Sequence, residues 1–369
     1  MSAADKPTPT YGSINVPRTG RGAVSNPVGR FDATRTEAQD DGWGILEEPL
    51  PVVHTTVQID TSRSIIARND SPDIPFTQSI NPYRGCEHGC VYCYARPSHA
   101  YLNLSPGLDF ETKLFYKPDA VKQLKDELAT KNYQCSAIAL GANTDPYQPI
   151  EREYRVTRRI LETLSECNHP ATIVTKGAAI IERDIELLAD MAKRNLVAVF
   201  VSITTLDKDL KRKLEPRAAS PAGRLAIIRK LAEAKVPVGM MMAPVIPVLT
   251  DHELENIVAA GAAAGARSAS YVMLRLPYEV NPLFQEWLQT HEPLKAEHVM
   301  SRIHELRGGR DNDPRFGSRM RGEGVFAELF RKRFELACRK HGLNRERRVQ
   351  LDTSKFMPPV LVGRQMGLF

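Results

Sequence analysis

Residues 84–96 read RGCEHGCVYCYAR, so one short stretch holds Cys86, Cys90 and Cys93, half of the six cysteines in the chain. Glycines, a histidine and tyrosines surround them, as suits a loop. Structural zinc is one use for such thiols, with His88 or His99 as a fourth ligand. Zinc sites of that kind usually add a second cysteine pair far along the chain. Here Cys135, Cys167 and Cys338 stand alone, and each reads as a small buried hydrophobe. A redox pair of Cys90 and Cys93 would leave Cys86 without a role. Three thiolates with three and two residues between them also suit a loop wrapped around an iron–sulfur cube. One sulfur then reaches each of three irons and the fourth iron stays open.

The sequence around the loop alternates. VVHTTVQIDT (52–61) has the texture of a strand, and FTQSINPYRGC (76–86) reads as a strand that ends at the cysteines. Apolar runs follow at CSAIAL (135–140), ATIVT (171–175), LVAVFVSIT (196–204), VPVGMMM (236–242) and SASYVMLRL (268–276). Helical patterns separate them near 154–166, 180–193, 221–235 and 251–264. In the first of these Val156, Ile160, Leu161 and Leu164 share a face. Strands alternating with helices predict right-handed β-α-β units and a parallel sheet, class α/β. Six repeats predict an open, partial (β/α)6 barrel, with the chemistry at the C-terminal ends of its strands. The expected organisation is a mostly irregular arm over 1–50, the partial barrel over 51–280, and a helical, arginine-rich extension over 281–369.

Composition bounds the rest. At 369 residues, 25% charged and 42% hydrophobic, the chain reads as an ordinary globular protein with a sizeable core. It has no apolar run long enough for a membrane helix, and its N-terminus lacks a signal-peptide core, so a cytoplasmic protein is expected. The net charge of +6 is concentrated: residues 301–350 hold fourteen Lys or Arg and seven Asp or Glu. That segment reads either as a solvated helical face or as a surface for a polyanion, with Arg315, Arg319, Arg321, Arg331 and Arg333 as candidate phosphate contacts.

The run Cys86-x-x-x-Cys90-x-Tyr92-Cys93 resembles the cluster motif of the radical S-adenosylmethionine (SAM) enzymes, including the aromatic before the last cysteine. GANTDPYQPIE (141–151), VTKG (174–177), VSITTLD (201–207), LEPRAASPAGRL (214–225) and APVIPVLTD (243–251) resemble the branch around spore photoproduct lyase, often labelled DNA repair photolyase-like. The resemblance covers roughly residues 50–280. It implies a [4Fe–4S] cluster on Cys86, Cys90 and Cys93 and reductive cleavage of SAM to a 5′-deoxyadenosyl radical that takes hydrogen from a substrate. It also implies a reductant such as flavodoxin or ferredoxin as partner. Carried over residue by residue, it sets Tyr92 against the adenine and Asn143, Thr144 and Asp145 at the barrel mouth. Thr144 would approach the methionyl amine or ribose. Lys176 would face the methionyl carboxylate, and Ser202, with Thr204 on the same face, the ribose hydroxyls. Glu215 and Arg217 would clamp substrate or pair with each other, and Met242 and Ala243 would offer backbone groups to the adenine. One departure stands out. Spore photoproduct lyase uses a cysteine hydrogen donor where this chain has Gly141 or Ala142, so the family label for DNA repair does not fix the substrate. Nucleic acid is one expectation; a small molecule, peptide or protein is the alternative, and a non-catalytic zinc or iron–sulfur protein that binds nucleic acid is a distant third.

Overall fold

A computed structural model describes residues 18–31, 53–345 and 350–361. Among these residues ten strands fall into two sheets. The larger contains β2 (Ile66–Arg68), β3 (Gln78–Ile80), β6 (Ile138–Leu140), β7 (Ala171–Thr175), β8 (Val197–Ser202), β9 (Val238–Val245) and β10 (Ser268–Met273). Their order is β10-β9-β8-β7-β6-β3-β2. The six from β3 to β10 are parallel, and β2 adds an antiparallel edge against β3. Each new strand is laid beside the last in one direction, as a singly wound α/β barrel requires and a doubly wound sheet does not. Among the described residues the order does not close on itself, which matches the expected partial barrel.

The sheet forms because its strands are buried on both faces and so read as nearly continuous apolar runs. Five of the six residues of β8 are buried. The covering helices bring single apolar stripes: Val156, Ile160, Leu161 and Leu164 of helix Val156–Glu166 are all fully buried, on the face expected. A smaller sheet joins β1 (Thr56–Ile59), β5 (Lys113–Tyr116) and β4 (Tyr83–Arg84). The strand expected to run unbroken into the cysteines is therefore two strands, β3 and β4, in different sheets. Beyond β10 come helices Val280–His291, Pro293–Leu306, Ser318–Arg321 and Gly324–Lys340. Phe330 and Phe334 of the last pack edge-on against Tyr271 of β10, inside the same buried cluster as the sheet.

Residues 350–361 carry no helix. They run along the opposite end of the sheet, where Met357 donates to the Cys167 carbonyl and Asp352 to that of Asn195. Of the predicted arm, residues 18–31 have no regular structure, and 1–17 and 32–50 lie outside the described residues. Among the described residues no helix is long and apolar enough to cross a membrane.

Candidate metal centre and cofactor site

The cysteine loop leaves β4 and is pinned from several sides. Gly85 carbonyl accepts from Thr144 Oγ1 at 2.7 Å and Gln148 Nε2 at 3.2 Å, while Glu87 N donates to Gln148 Oε1 at 2.8 Å. Cys86 N donates to Phe110, Val91 N to Leu214, and Arg217 N to His88. Under the loop lies Arg96, fully buried, donating to the carbonyls of Cys90 (2.9 Å), Pro106 (3.1 Å) and Gly107 (2.8 Å) and paired with buried Glu111. Glu111 also accepts from the backbone of Gly22 (3.0 Å) and Ala23 (2.8 Å), which latches residues 18–31 onto the loop. Gly22 passes so close that a Cβ there would meet the Gly89 carbonyl at 1.8 Å. Only glycine permits that approach.

Cys86 and Cys90 are buried, Cys93 is partly buried, and all three are free thiols within electrostatic reach of one another. Burial raises all three pKa values, that of Cys90 to about 12; a carboxylate and neighbouring thiols add to the rise at Cys86 and Cys90, whereas backbone donors, Arg96 and Lys176 oppose it at Cys93. Such groups are thiols at neutral pH unless a metal holds them as thiolates. The soft, all-sulfur donor set on one pinned loop fits an iron–sulfur cluster, whose irons each take a different sulfur. Each histidine of the zinc reading turns one ring nitrogen toward a group other than the thiols. His88 Nδ1 lies 3.2 Å from Asp145 Oδ2, and His99 Nε2 lies 3.0 Å from the Lys113 carbonyl with its ring edge-on to Phe110. Of the remaining cysteines, Cys167 and Cys338 are core residues, whereas Cys135 is only partly buried.

Four residues expected at the cofactor come together at the C-terminal strand ends. Lys176 Nζ (3.2 Å), Ser202 Oγ (2.9 Å) and Thr204 Oγ1 (3.3 Å) all donate to the Ala243 carbonyl. Lys176 Nζ also stands 5.7 Å from the Tyr92 ring centroid, and its charge is felt by Cys90 and Cys93. Tyr92 is buried, its hydroxyl 3.2 Å from Thr204 Oγ1 and bonded to Glu215.

The β6 turn is placed differently. It starts with Gly141 at φ +101°, where a Cβ would lie 2.3 Å from the Val174 carbonyl. Asn143 is exposed, with its N–H on Asn81 Oδ1. Thr144 is turned inward to the Gly85 carbonyl. Asp145 accepts from Thr175 Oγ1 (2.7 Å), Tyr147 N (2.9 Å) and Lys176 N (2.7 Å). Burial would raise its pKa, but His88 and these donors hold it at about 2. Thr144 and Asp145 thus tie the cysteine loop and Lys176 in place and point no free group outward.

Glu215 and Arg217 do not pair. Glu215 is fully buried against Arg224, Tyr92 and Thr204; burial opposes its charge, but Arg224 and Lys176 bring its pKa to about 2. Arg217 instead holds Glu87 at 2.8 Å. Arg224 is the central residue that the sequence reading does not single out. Its signal is the Ser220-Pro221 helix start, with Ser220 Oγ capping Gly223 N at 3.1 Å and Arg224 one turn in.

Most of the candidate arginines of the basic segment are paired, within the segment or to acids elsewhere. Arg315 pairs with Asp313 and Glu323, Arg319 with Asp73, Arg331 with Glu335, and Arg333 with Glu255. Arg321 lies over the Tyr271 ring at 4.1 Å. Four of the five candidate phosphate contacts therefore face carboxylates. At the suspected donor position Ala142 presents a methyl group, and its carbonyl accepts from the Tyr94 hydroxyl.

Residues 80–260 match the family model described as the Radical SAM superfamily. An uncharacterized protein of Mycobacterium tuberculosis is 37% identical over 235 residues, 63% of this chain and 68% of the relative. Another, of Methanocaldococcus jannaschii, is 29% identical over 174 residues, 47% of this chain and 62% of the relative. Among solved structures, spore photoproduct lyase complexed with dinucleoside spore photoproduct superposes with TM-score 0.53 at 15% identity, covering 78% of this chain and 80% of that one. At that identity the likeness is one of fold.

Proposed function

We propose a function from one premise: the chain belongs to the radical SAM superfamily and is an enzyme of that type. The family implies a [4Fe–4S] cluster and SAM, and in our reading Cys86, Cys90 and Cys93 hold the cluster. The observation that carries this is the meeting of Lys176, Ser202 and Thr204 at the Ala243 carbonyl, beside Tyr92 of the cysteine loop. When bound, the cluster supplies the electron that splits SAM into methionine and a 5′-deoxyadenosyl radical, which takes a hydrogen atom from substrate.

The chain's own residues bind and shield. Lys176 offers a cation to the methionyl carboxylate, and the Ser202 and Thr204 hydroxyls serve the ribose. Tyr92 backs the site, locked by Glu215 and Thr204, and Asn143 stands at its open edge. Thr144 and Asp145 are positioning residues, since their polar atoms serve the cysteine loop and the Lys176 backbone. Leu214, Ile246, Leu249, Leu274 and Leu276 pack around Cys90, Val91 and Tyr92 and keep water from a reactive radical.

Nucleic acid is the substrate we propose, in a cytoplasmic protein reduced by a flavodoxin or ferredoxin. Support comes from the fold shared with spore photoproduct lyase and from exposed rings carrying a guanidinium group. Arg30 lies 4.0 Å from the Tyr278 centroid and 5.0 Å from that of Phe31, both exposed, while also pairing with Glu279 at 3.5 Å. The paired arginines of 301–350 favour the second reading, a small molecule or peptide. Deuterium tracing separates them. Protein reduced under anaerobic conditions with SAM should form 5′-deoxyadenosine that takes deuterium from labelled DNA or RNA. Label arriving only from small molecules or peptides would remove nucleic acid.

A further inference from the structure

Arg275 stands two residues beyond β10, at the same end of the sheet as the cysteine loop. It is partly buried, and its guanidinium carbon lies 5.8 Å from the ring centroid of Tyr94, the residue after Cys93. Tyr94 is half-exposed, so this end of the sheet opens to solvent there. Arg275 has no carboxylate at ion-pair distance among the described residues, and its buried Nε has no hydrogen-bond partner. Its one hydrogen bond among the described residues is from an Nη to the Met320 sulfur at 3.9 Å. The acid it senses, Asp73, is occupied by Arg319, whose Nε donates to Oδ2 at 2.6 Å. The next buried arginine, Arg307, is spent on the carbonyls of Met273 (3.4 Å) and Leu274 (2.5 Å).

Partly buried cations in folded proteins are ordinarily paired, because removing charge from water without compensation is costly. An unpaired guanidinium, with a planar donor fork, beside an aromatic ring at the mouth of a site is therefore a seat for an anion. We infer that Arg275, with Tyr94 beside it, binds an anionic group of the substrate, the phosphodiester of a nucleic acid, next to the cluster loop. This rests on the radical SAM reading for the identity of the neighbouring centre, while the anion seat rests on Arg275 itself.

The test uses the reconstituted holoenzyme and equilibrium titration with a dinucleotide, its uncharged methylphosphonate analogue, an acetylated dipeptide and the dipeptide's amide. Wild type should prefer the charged dinucleotide by about tenfold or more, the scale of one charge-assisted contact. Arg275→Met should lose that preference and Arg275→Lys should keep part of it, with the melting temperature of each variant confirming a folded protein. A preference undiminished in folded Arg275→Met, or a wild type that discriminates neither pair, overturns the inference. An Arg275-dependent preference for the dipeptide over its amide, and not for the dinucleotide, overturns the phosphodiester assignment in favour of a carboxylate. Failure of the parent reading registers separately, as wild-type protein that forms no 5′-deoxyadenosine on reduction with SAM.

Discussion

Replacing Arg96 by methionine tests how the cysteine loop is held. The side chain is fully buried and serves four acceptors: three carbonyls and the Glu111 carboxylate. Methionine fills much of the volume but strands a buried charge, and breaking a buried pair from one side costs about 3–5 kcal/mol. The orphaned carbonyls push toward the upper end, since each buried acceptor left unmade costs about 1–3 kcal/mol and the terms overlap. By contrast, truncating the exposed pair Arg331–Glu335 (2.8 Å), which solvent screens, should leave stability nearly unchanged. Denaturant unfolding of the reduced apo-protein measures both, and iron content after reconstitution reads the loop directly. The Cys90 carbonyl is one of the Arg96 acceptors, so Arg96→Met should lose stability and iron together. A loss no greater than that of the exposed pair, with full iron loading, would refute the view that this ion pair shapes the loop.

Cys86→Ala, Cys90→Ala and Cys93→Ala should each abolish iron binding, whereas Cys135→Ala, Cys167→Ala and Cys338→Ala should retain it by iron analysis. Lys176→Ala should weaken SAM binding by about 1–3 kcal/mol in calorimetry while the cluster absorbance persists. His169, buried beneath Tyr133 and Phe356, has its pKa lowered by burial to about 4 from an unfolded value of 6.5. Its contribution is therefore complete above pH 6.5 and lost as pH falls toward 4. The loss is about 3 kcal/mol, and unfolding curves of His169→Gln should lack that share of the pH dependence.

Much of this architecture is legible in the sequence for local reasons. The runs 171–175, 196–204 and 236–242 are apolar on both faces, which is how buried parallel strands read. Cys86, Cys90 and Cys93 announce themselves by spacing alone, and Lys176, Ser202 and Thr204 can be placed at strand ends by counting. β2 escapes such a reading because it is three residues long with two of them exposed. Helix Ala120–Leu128 escapes because only Ala120, Leu124 and Leu128 of its charged nine residues are buried. Long-range choices are not visible either. Lys176, Ser202 and Thr204 share one carbonyl only because β7, β8 and β9 sit in a particular register. Glu215 turns away from Arg217, two residues on, to Arg224, nine residues on, because the helix start brings Arg224 inside. Arg96–Glu111 is hidden because fully buried charges are too rare to expect from composition.

The central claim is that Cys86, Cys90 and Cys93 carry a four-iron cluster with one iron open to SAM. Electron paramagnetic resonance of anaerobically reconstituted, reduced protein tests it most directly. The account predicts about four irons per chain, a signal from the reduced cluster that changes when SAM is added, and no such signal in Cys86→Ala. A colourless protein that binds one zinc and shows no signal, or a signal indifferent to SAM, would contradict it.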